Sequence, residues 1–519
     1  MFLAILLLGA YVAFFRLGVN DWHPDELVYR DAGLEYVRDN DFSANQEHPF
    51  LVKYILGITQ VVLGSSEAGA VRIPAAATAL LTGLILFAFA RRVAGYWTGV
   101  LALALWVVSP LTLSIGRLAI LEVFLGFFST LALYLGWRWA ETSSWGFAVL
   151  TGVGIGLATS SKLVGILFLP AILFVGLLKI GISRLLILQS TLIGLAAAAT
   201  ALATYAPLWT GTFRAIQNML ALQRSHNAGG HWVEVNGIPY AFPPWWTFLW
   251  WQWEFYGTLA ALSLGVAVVG AFWQRRPPEL YLLAATLVPF LFLSFCVRVK
   301  VYHYIYDWQP PLILLLALTA GKLARRGAAG IIFALLLLAP FGYLGVESVK
   351  AASHVESGTY AAVAEYLEDT GQDRGRLLVW GHTGVAQAYL PEATITRPKG
   401  NQRKRIEVVI VDSSVSRRAP DPLVENYLET NRNRFKLAYM AVDRDDRVEL
   451  SNFEGDVKVY TRKHYERTDH WSRAGLTFVL LARRWDCPIV FFTDTTHDRR
   501  RACPHYLQSW IHLPQCGRG

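Results

Sequence analysis

The sequence predicts a polytopic α-helical membrane protein with a smaller C-terminal α/β domain, and three observations carry that reading. The 519 residues are 54% hydrophobic and only 16% charged, whereas soluble domains carry about 25% charge. Apolar runs close to the ~20 residues that a bilayer requires recur along most of the chain and stop near Val346. Beyond Lys350 the text turns polar and breaks into short strand-like runs, which marks a domain boundary. The division is 1–348 for the membrane body, 349–463 for an extracytoplasmic α/β domain, and 464–519 for a tail whose order the sequence does not assign.

About eleven transmembrane helices are expected, at 2–19, 69–90, 97–113, 119–137, 146–160, 163–178, 186–208, 254–273, 279–297, 304–321 and 328–346. The first has no basic n-region and no small-residue cleavage site before Asn20, so it reads as an uncleaved span. Short loops carrying Arg91 and Arg92, Arg138, Lys179 and Arg184, Arg275 and Arg276, and Lys322 with Arg325 and Arg326 fall on one side. The positive-inside rule makes that side cytoplasmic, with the N-terminus inside and the C-terminal domain outside a multi-pass plasma-membrane protein. Those loops and the C-terminal part hold much of the basic charge behind the net +9, so the excess does not call for nucleic acid.

Two outer stretches are too long to be turns, Asn20 to Ala68 and Trp209 to about Trp253, and function is to be sought there. Within the first, His48 to Leu63 has a helical apolar pattern too short for a span and reads as an interfacial or re-entrant helix. The second is dense in Trp, from Trp232 to Trp253, which suits a membrane–water interface. In the C-terminal domain RLLVWG at 376–381, EVVIVDSS at 407–414, KLAYMAV at 436–442 and DVKVYTR at 456–462 read as strands, and Tyr360 to Glu368 and Pro422 to Thr430 as helices. After Lys463 no clear period remains. Cys296 lies in an apolar run and Cys487, Cys503 and Cys516 near the end, with no C-x-x-C pair and no disulfide framework.

The strongest chemical signal is HPDELVYR at 23–30, where Asp25 and Glu26 directly follow the first span. Paired carboxylates beside an apolar segment are costly to keep ionised without a partner, and a general base is a natural use for one of them. The competing reading is a pair of solvated loop charges. In EHPFLVKY at 47–54, Pro49 is expected to open a helix whose first turns carry His48 and Lys53, and a cation there can hold a phosphate. A snorkelling Lys is the plain alternative. GRLAILEVF at 116–124 places Arg117 and Glu122 at the outer end of a span, and Arg suits phosphate because its planar donors are fixed. Arg72, Lys162, Arg298 and His303 sit near outer span ends and support the same cavity, or serve as interfacial anchors. His226 and His231, and the late group Cys503, His505, His512 and Cys516, lack the spacing of a metal site.

At these residues the chain resembles the protein O-mannosyltransferases and their bacterial relative, the lipid A aminoarabinose transferase, of the C-type glycosyltransferase superfamily. Asp25-Glu26 resembles the family's Asp-Glu pair in the first outer loop, EHPFLVK its His-Pro-Pro-Leu-x-Lys element, and RLAILE its Arg-x-x-x-Leu-Asp segment. The likeness spans roughly 1–345. Phe50 stands where the second Pro is usual and Glu122 where Asp is usual, and the second outer loop is too short for the β-trefoil of eukaryotic members, so the form looks prokaryotic. The resemblance implies a C-type glycosyltransferase fold and inverting transfer of a sugar, mannose first, from a polyprenyl- or dolichyl-phosphate donor to an acceptor hydroxyl. Asp25 would be the base, Glu26 would place the acceptor, and Arg117, with Lys53 and His48, would bind the donor phosphate. The acceptor is a protein Ser or Thr, or else a lipid or glycan, which nothing in the sequence separates. A flippase or transporter is the reading from another class, but no internal repeat supports it. The scheme requires no cofactor. Asp25, Glu26 and Glu122 could gather a divalent cation, which the spacing does not indicate.

Overall fold

The structure, a computed structural model, describes residues 1–353, 358–397, 406–412, 415, 421–431, 435–441, 457–462, 471–473, 476–480 and 490–494. The chain runs through α1 (Phe2–Phe14), α2 (Pro24–Arg38), α3 (Leu51–Leu63), α4 (Ala68–Ala94), α5 (Tyr96–Val107), α6 (Pro110–Ser114), α7 (Leu121–Thr142) and α8 (Trp145–Ser161). It continues with α9 (Leu169–Ile180), α10 (Arg184–Ala203), α11 (Thr212–Gly229), the hairpin β1 (Val233–Val235) and β2 (Ile238–Tyr240), α12 (Thr247–Gln274), α13 (Pro277–Phe295), α14 (Gln309–Ala324) and α15 (Ala328–Ser353). Short 3-10 turns precede α9, α11 and α14, over Leu163–Phe168, Ala206–Gly211 and Tyr302–Trp308.

By length and composition, α4, Leu163–Ile180, α10, α12, α13 and α15 are each able to cross a membrane. Each of the eleven expected spans coincides with helix, though several ends move. The first stops at Phe14, not residue 19, because the chain turns at Arg16, whose φ of 50° leaves the helical region. The span expected at 97–113 breaks after Val107, where Pro110 cannot continue a helix and instead opens α6. The span expected from 254 begins at Thr247 and bends at Gly257, whose φ of 67° suits glycine. α14 is buried at every residue from Gln309 to Ala320 and forms the middle of the bundle. α8 packs along α10 so closely that a Cβ on Gly152 or Gly156 would strike it, the close approach that small residues permit between membrane helices.

The first outer stretch holds a helix that the sequence reading missed. α2 begins at a capping box in which the His23 ring accepts the Asp25 N–H and the Glu26 side chain accepts the His23 N–H, with Pro24 in the first turn. The second helix of this stretch, α3, starts at Leu51 with Phe50 at its N-cap, so Pro49 does not open it and His48 lies ahead of it.

The C-terminal unit contains α16 (Thr359–Asp369), β3 (Arg376–Trp380), α17 (Thr383–Tyr389), β4 (Thr394–Ile395), β5 (Val408–Asp412), α18 (Pro422–Asn431), β6 (Phe435–Ala441) and β7 (Val457–Arg462). Its sheet has the order β4-β3-β5-β7-β6, parallel from β4 to β5 and antiparallel beyond. The expected strands and helices lie on these elements, and α17 and β4 are additional. In the stretch after 463, β8 (Trp471–Arg473), β9 (Leu476–Leu480) and β10 (Val490–Asp494) pair antiparallel, whereas Cys487, Cys503, His505, His512 and Cys516 lie outside the described residues.

Candidate active site

The first turn of α2 separates the two neighbouring carboxylates. Successive helical residues point about 100° apart, so Glu26 turns into the protein while Asp25 stays at its surface. Glu26 has no exposed surface. Its Oε1 accepts from Arg72 Nε at 2.8 Å and from the Ala119 N–H at 2.7 Å, and its Oε2 from Arg72 Nη2 at 2.7 Å and the His23 N–H at 2.8 Å. Burial alone would raise this carboxyl, but the Arg72 guanidinium and the two N–H donors hold it below the usual carboxylate range. With this many donors, Glu26 ties α2 to α4 and to the segment before α7 and is not free to place an acceptor.

Arg72 is likewise a buried staple and not a cavity group, since it also donates to the carbonyls of Leu17, Asn20 and Asp21. Arg117 is the largest departure from expectation. Its guanidinium donates to the carbonyls of Val12, in the last turn of α1, and of Phe15 and Arg16 just past its end, at 2.5, 2.8 and 3.2 Å. It lines a narrow cleft with Gly9, Val12, Ala79 and Trp106. Lys53 is fully buried and donates to Asn45 O, Asn45 Oδ1 and His48 O at 2.5, 3.1 and 2.9 Å. All its ammonium donors thus hold the loop ahead of α3, and burial draws its pKa down to about 7. Burial, with Lys162 and Lys53 nearby, also pushes His48 down to about 3, which favours its neutral ring. Neither Arg117 nor Lys53 pairs with Asp25 among the described residues, whereas His48 lies within electrostatic reach of Asp25, Glu122 and Lys162.

A different set does converge. Asp25 keeps 41% of its side-chain surface and lies between two imidazoles, its Oδ2 4.0 Å from His23 Nδ1 and 4.0 Å from His303 Nε2. His303, in the turn before α14, also stands 3.4 Å from Glu122 Oε1. Lys162, where α8 ends, donates to the same oxygen at 2.5 Å and rests 3.4 Å over the Tyr304 ring. Glu122, Lys162 and His303 are buried, and together with Asp25 they form a row from protein interior to surface. Asp307 lies behind it, fully buried, with no hydrogen bond to either carboxyl oxygen among the described residues. Arg298 is exposed, its backbone N–H donating to Asn227 and its guanidinium covering Phe242, and it makes no contact with the row among the described residues. His23 was not singled out from the sequence, although its place three residues before Glu26 is a capping-box spacing.

His23, Asp25 and His303 are also the described group able to hold a metal ion, their ligand atoms lying within 4.8 Å of one another.

The family model for dolichyl-phosphate-mannose-protein mannosyltransferases matches residues 47–210, the part that supplies Arg72, Glu122 and Lys162. The structure is similar to that of ArnT from Cupriavidus metallidurans, with a TM-score of 0.58 at 15% identity over 88% of this chain and 97% of that one. It is also similar to the oligosaccharyltransferase of Archaeoglobus fulgidus, with a TM-score of 0.51 at 14% identity over 79% of this chain and 69% of that one. The chain has the C-type glycosyltransferase fold. The family match covers 164 of the 519 residues, and the fold is shared over most of the chain. A search of curated proteins found no match.

Proposed function

We propose that this protein transfers a sugar, mannose first, from a polyprenyl- or dolichyl-phosphate donor to a hydroxyl of a protein Ser or Thr on the outer face of the membrane, with Asp25 as general base. The observation that carries this reading is the position of Asp25, the one carboxylate of its row left partly open, flanked by two imidazoles and backed by the Glu122–Lys162 pair. Lipid-phosphate chemistry is supported by the family match and by relatives of the same fold. ArnT has been solved bound to undecaprenyl phosphate, and the Archaeoglobus fulgidus enzyme with an inhibitory peptide and a dolichol-phosphate.

In this scheme Asp25 takes the acceptor hydroxyl proton as the oxygen attacks the anomeric carbon. The bond from that carbon to the phosphate oxygen breaks, and the lipid phosphate leaves with the electron pair. Attack opposite the leaving group inverts the anomeric centre in one displacement. Fixed positive charge where negative charge develops is the main means of lowering such a barrier. Lys162 is the cation within the row, paired with Glu122. Arg117, Lys53 and Glu26 act by holding α1, the loop before α3 and the start of α2. The scheme needs no metal.

The test is transfer from a radiolabelled polyprenyl-phosphate mannose in reconstituted membranes, offered Ser/Thr peptides, lipid acceptors and glycans separately. Labelled peptide in wild type but not in Asp25→Asn is the expected result. Label only on a lipid or glycan would reassign the acceptor, and donor crossing the bilayer without transfer would overturn the enzyme reading in favour of a flippase.

A further inference from the structure

The segment joining α1 to α2 is gripped from two sides. On one side Arg72 holds the carbonyls of Leu17, Asn20 and Asp21 and, with the same guanidinium, Glu26. On the other side stands the C-terminal unit. Asp21 is 1% exposed, and its carboxylate lies at the N-terminus of α16. Its Oδ2 accepts the Tyr360 N–H at 2.9 Å and the Thr359 hydroxyl at 3.3 Å, and its Oδ1 accepts the Ala361 N–H at 3.1 Å.

These contacts form a helix cap supplied from far away in sequence. The first N–H groups of a helix need acceptors, and α16 has none from its own N-cap, which is Gly358. Asp21 fills that place from 339 residues upstream of Tyr360. A carboxylate suits the positive end of the helix. Gly358 is required by the same contact, since a Cβ there would overlap the Asp21 carboxylate. The grip continues into the sheet, because Tyr360 donates its hydroxyl proton to Asp412 of β5 at 2.9 Å and accepts the His382 N–H at 3.0 Å. Two residues after Asp21 comes His23, the cap of α2, and two further on is Asp25.

We infer that Asp21 is a positioning residue through which the docked C-terminal unit fixes the start of α2, and with it His23 and Asp25. The unit is thereby part of the catalytic apparatus, acting through a helix cap shared between the two parts of the chain. This rests on the reading of Asp25 as the base. A displacement of order 1 Å at a reacting group costs up to about 10²-fold in rate, which sets the size of effect to look for.

The test uses the full chain and approaches the contact from both parts. Asp21→Ala removes the acceptor, and Gly358→Ala pushes α16 away while leaving every membrane-body residue intact. Each is expected to lower kcat by about ten- to a hundredfold with the donor KM changed less than threefold. The double variant should be no worse than either single one, because both break one contact. Asp21→Asn, which keeps an acceptor oxygen, should recover part of the loss. Additive losses, or loss in KM alone, would overturn the inference. Amide hydrogen exchange provides a readout without activity: Gly358→Ala should speed exchange in residues 20–30 as well as in 359–369. If wild type shows no transfer but this coupled exchange appears, the coupling stands and the enzyme reading fails. Unchanged exchange in 20–30 sinks the coupling whatever the activity.

Discussion

Asp25 and Glu26 are neighbours in sequence and opposites in structure. Glu26 is shielded from solvent and accepts hydrogen bonds from Arg72, Ala119 and His23. Asp25 keeps 41% of its side-chain surface and meets its nearest ion-pair partners only at 4.0 Å. The same contrast separates Arg117, whose donors go to carbonyls at and just past the end of α1, from Lys162, which faces Glu122 in the row that reaches Asp25. Charged residues near a membrane therefore divide by how fully they are satisfied. The saturated ones build the frame, and those with remaining capacity are available to substrate.

Exchange of the two carboxylates for amides should break the pair apart most sharply. Asp25→Asn is expected to lose about 10²–10⁴-fold in rate, the usual worth of a general base, with stability within about 0.5 kcal/mol of wild type because its carboxylate is partly exposed. Glu26→Gln should do the reverse in kind, leaving the Arg72 charge buried without a counter-charge at a cost of about 3–5 kcal/mol. Thermal unfolding in detergent beside the transfer assay reads both. Equal loss of stability in the two variants would erase the distinction.

Within the open row, Lys162→Met is expected to lower the rate by about 10²–10³-fold, as for other groups that stabilise developing charge. Glu122→Gln should lower it less, and the double variant should fall well short of the product of the two losses because the pair shares one hydrogen bond. Multiplicative losses would mean that Lys162 and Glu122 act separately.

The frame should also show itself in acid. The Glu26 carboxyl lies below its ordinary 4.5 in the folded chain, so its contribution to stability is fully present above that pH. It is lost as pH falls through the lowered folded value. Wild type should lose melting temperature steeply below about pH 4.5, and Glu26→Gln, already weakened, should show a flatter dependence over that range. Parallel curves would locate the acid sensitivity elsewhere.

Much of this was legible in the sequence, for identifiable reasons. Apolar length located the helices of the membrane body, six of them long and apolar enough to cross a membrane, and strand-like alternation located β3, β5, β6 and β7, because both signals are local. Asp25, Glu122, Lys162 and His303 were each named from charge at a span end. The destinations of Arg72, Arg117 and Lys53 were not legible, since a guanidinium or ammonium that caps distant carbonyls looks in sequence like one that awaits a phosphate. Only the fold shows that Arg117 reaches back to Val12, 105 residues away. The signal for α2 is the His23-x-x-Glu26 spacing with Pro24 between, a capping box in which the cap is His and not the usual Ser or Thr. Asp21 carries no local signal at all, because its partners lie at Thr359 to Ala361.

The smallest expected effect is none, and it sharpens the comparison most finely. His23, Asp25 and His303 are the described group that could hold a cation, and a bound metal would turn the open row into a saturated one. The distances speak against a small tetrahedral ion. Bonds of about 2.0–2.1 Å place ligand atoms about 3.3 Å apart in a tetrahedron, whereas Asp25 Oδ2 stands 4.0 Å from each imidazole nitrogen. The His23 Nδ1 lone pair already accepts the Asp25 N–H at 3.2 Å, so a metal there would have to dismantle the cap of α2. Transfer by protein dialysed against a strong chelator should therefore match the untreated rate, and added zinc should leave it unchanged or lower it by occupying Asp25. Loss of activity on chelation with recovery on adding zinc, abolished in His303→Ala, would make Asp25 a ligand and give the role of base to another group in the row.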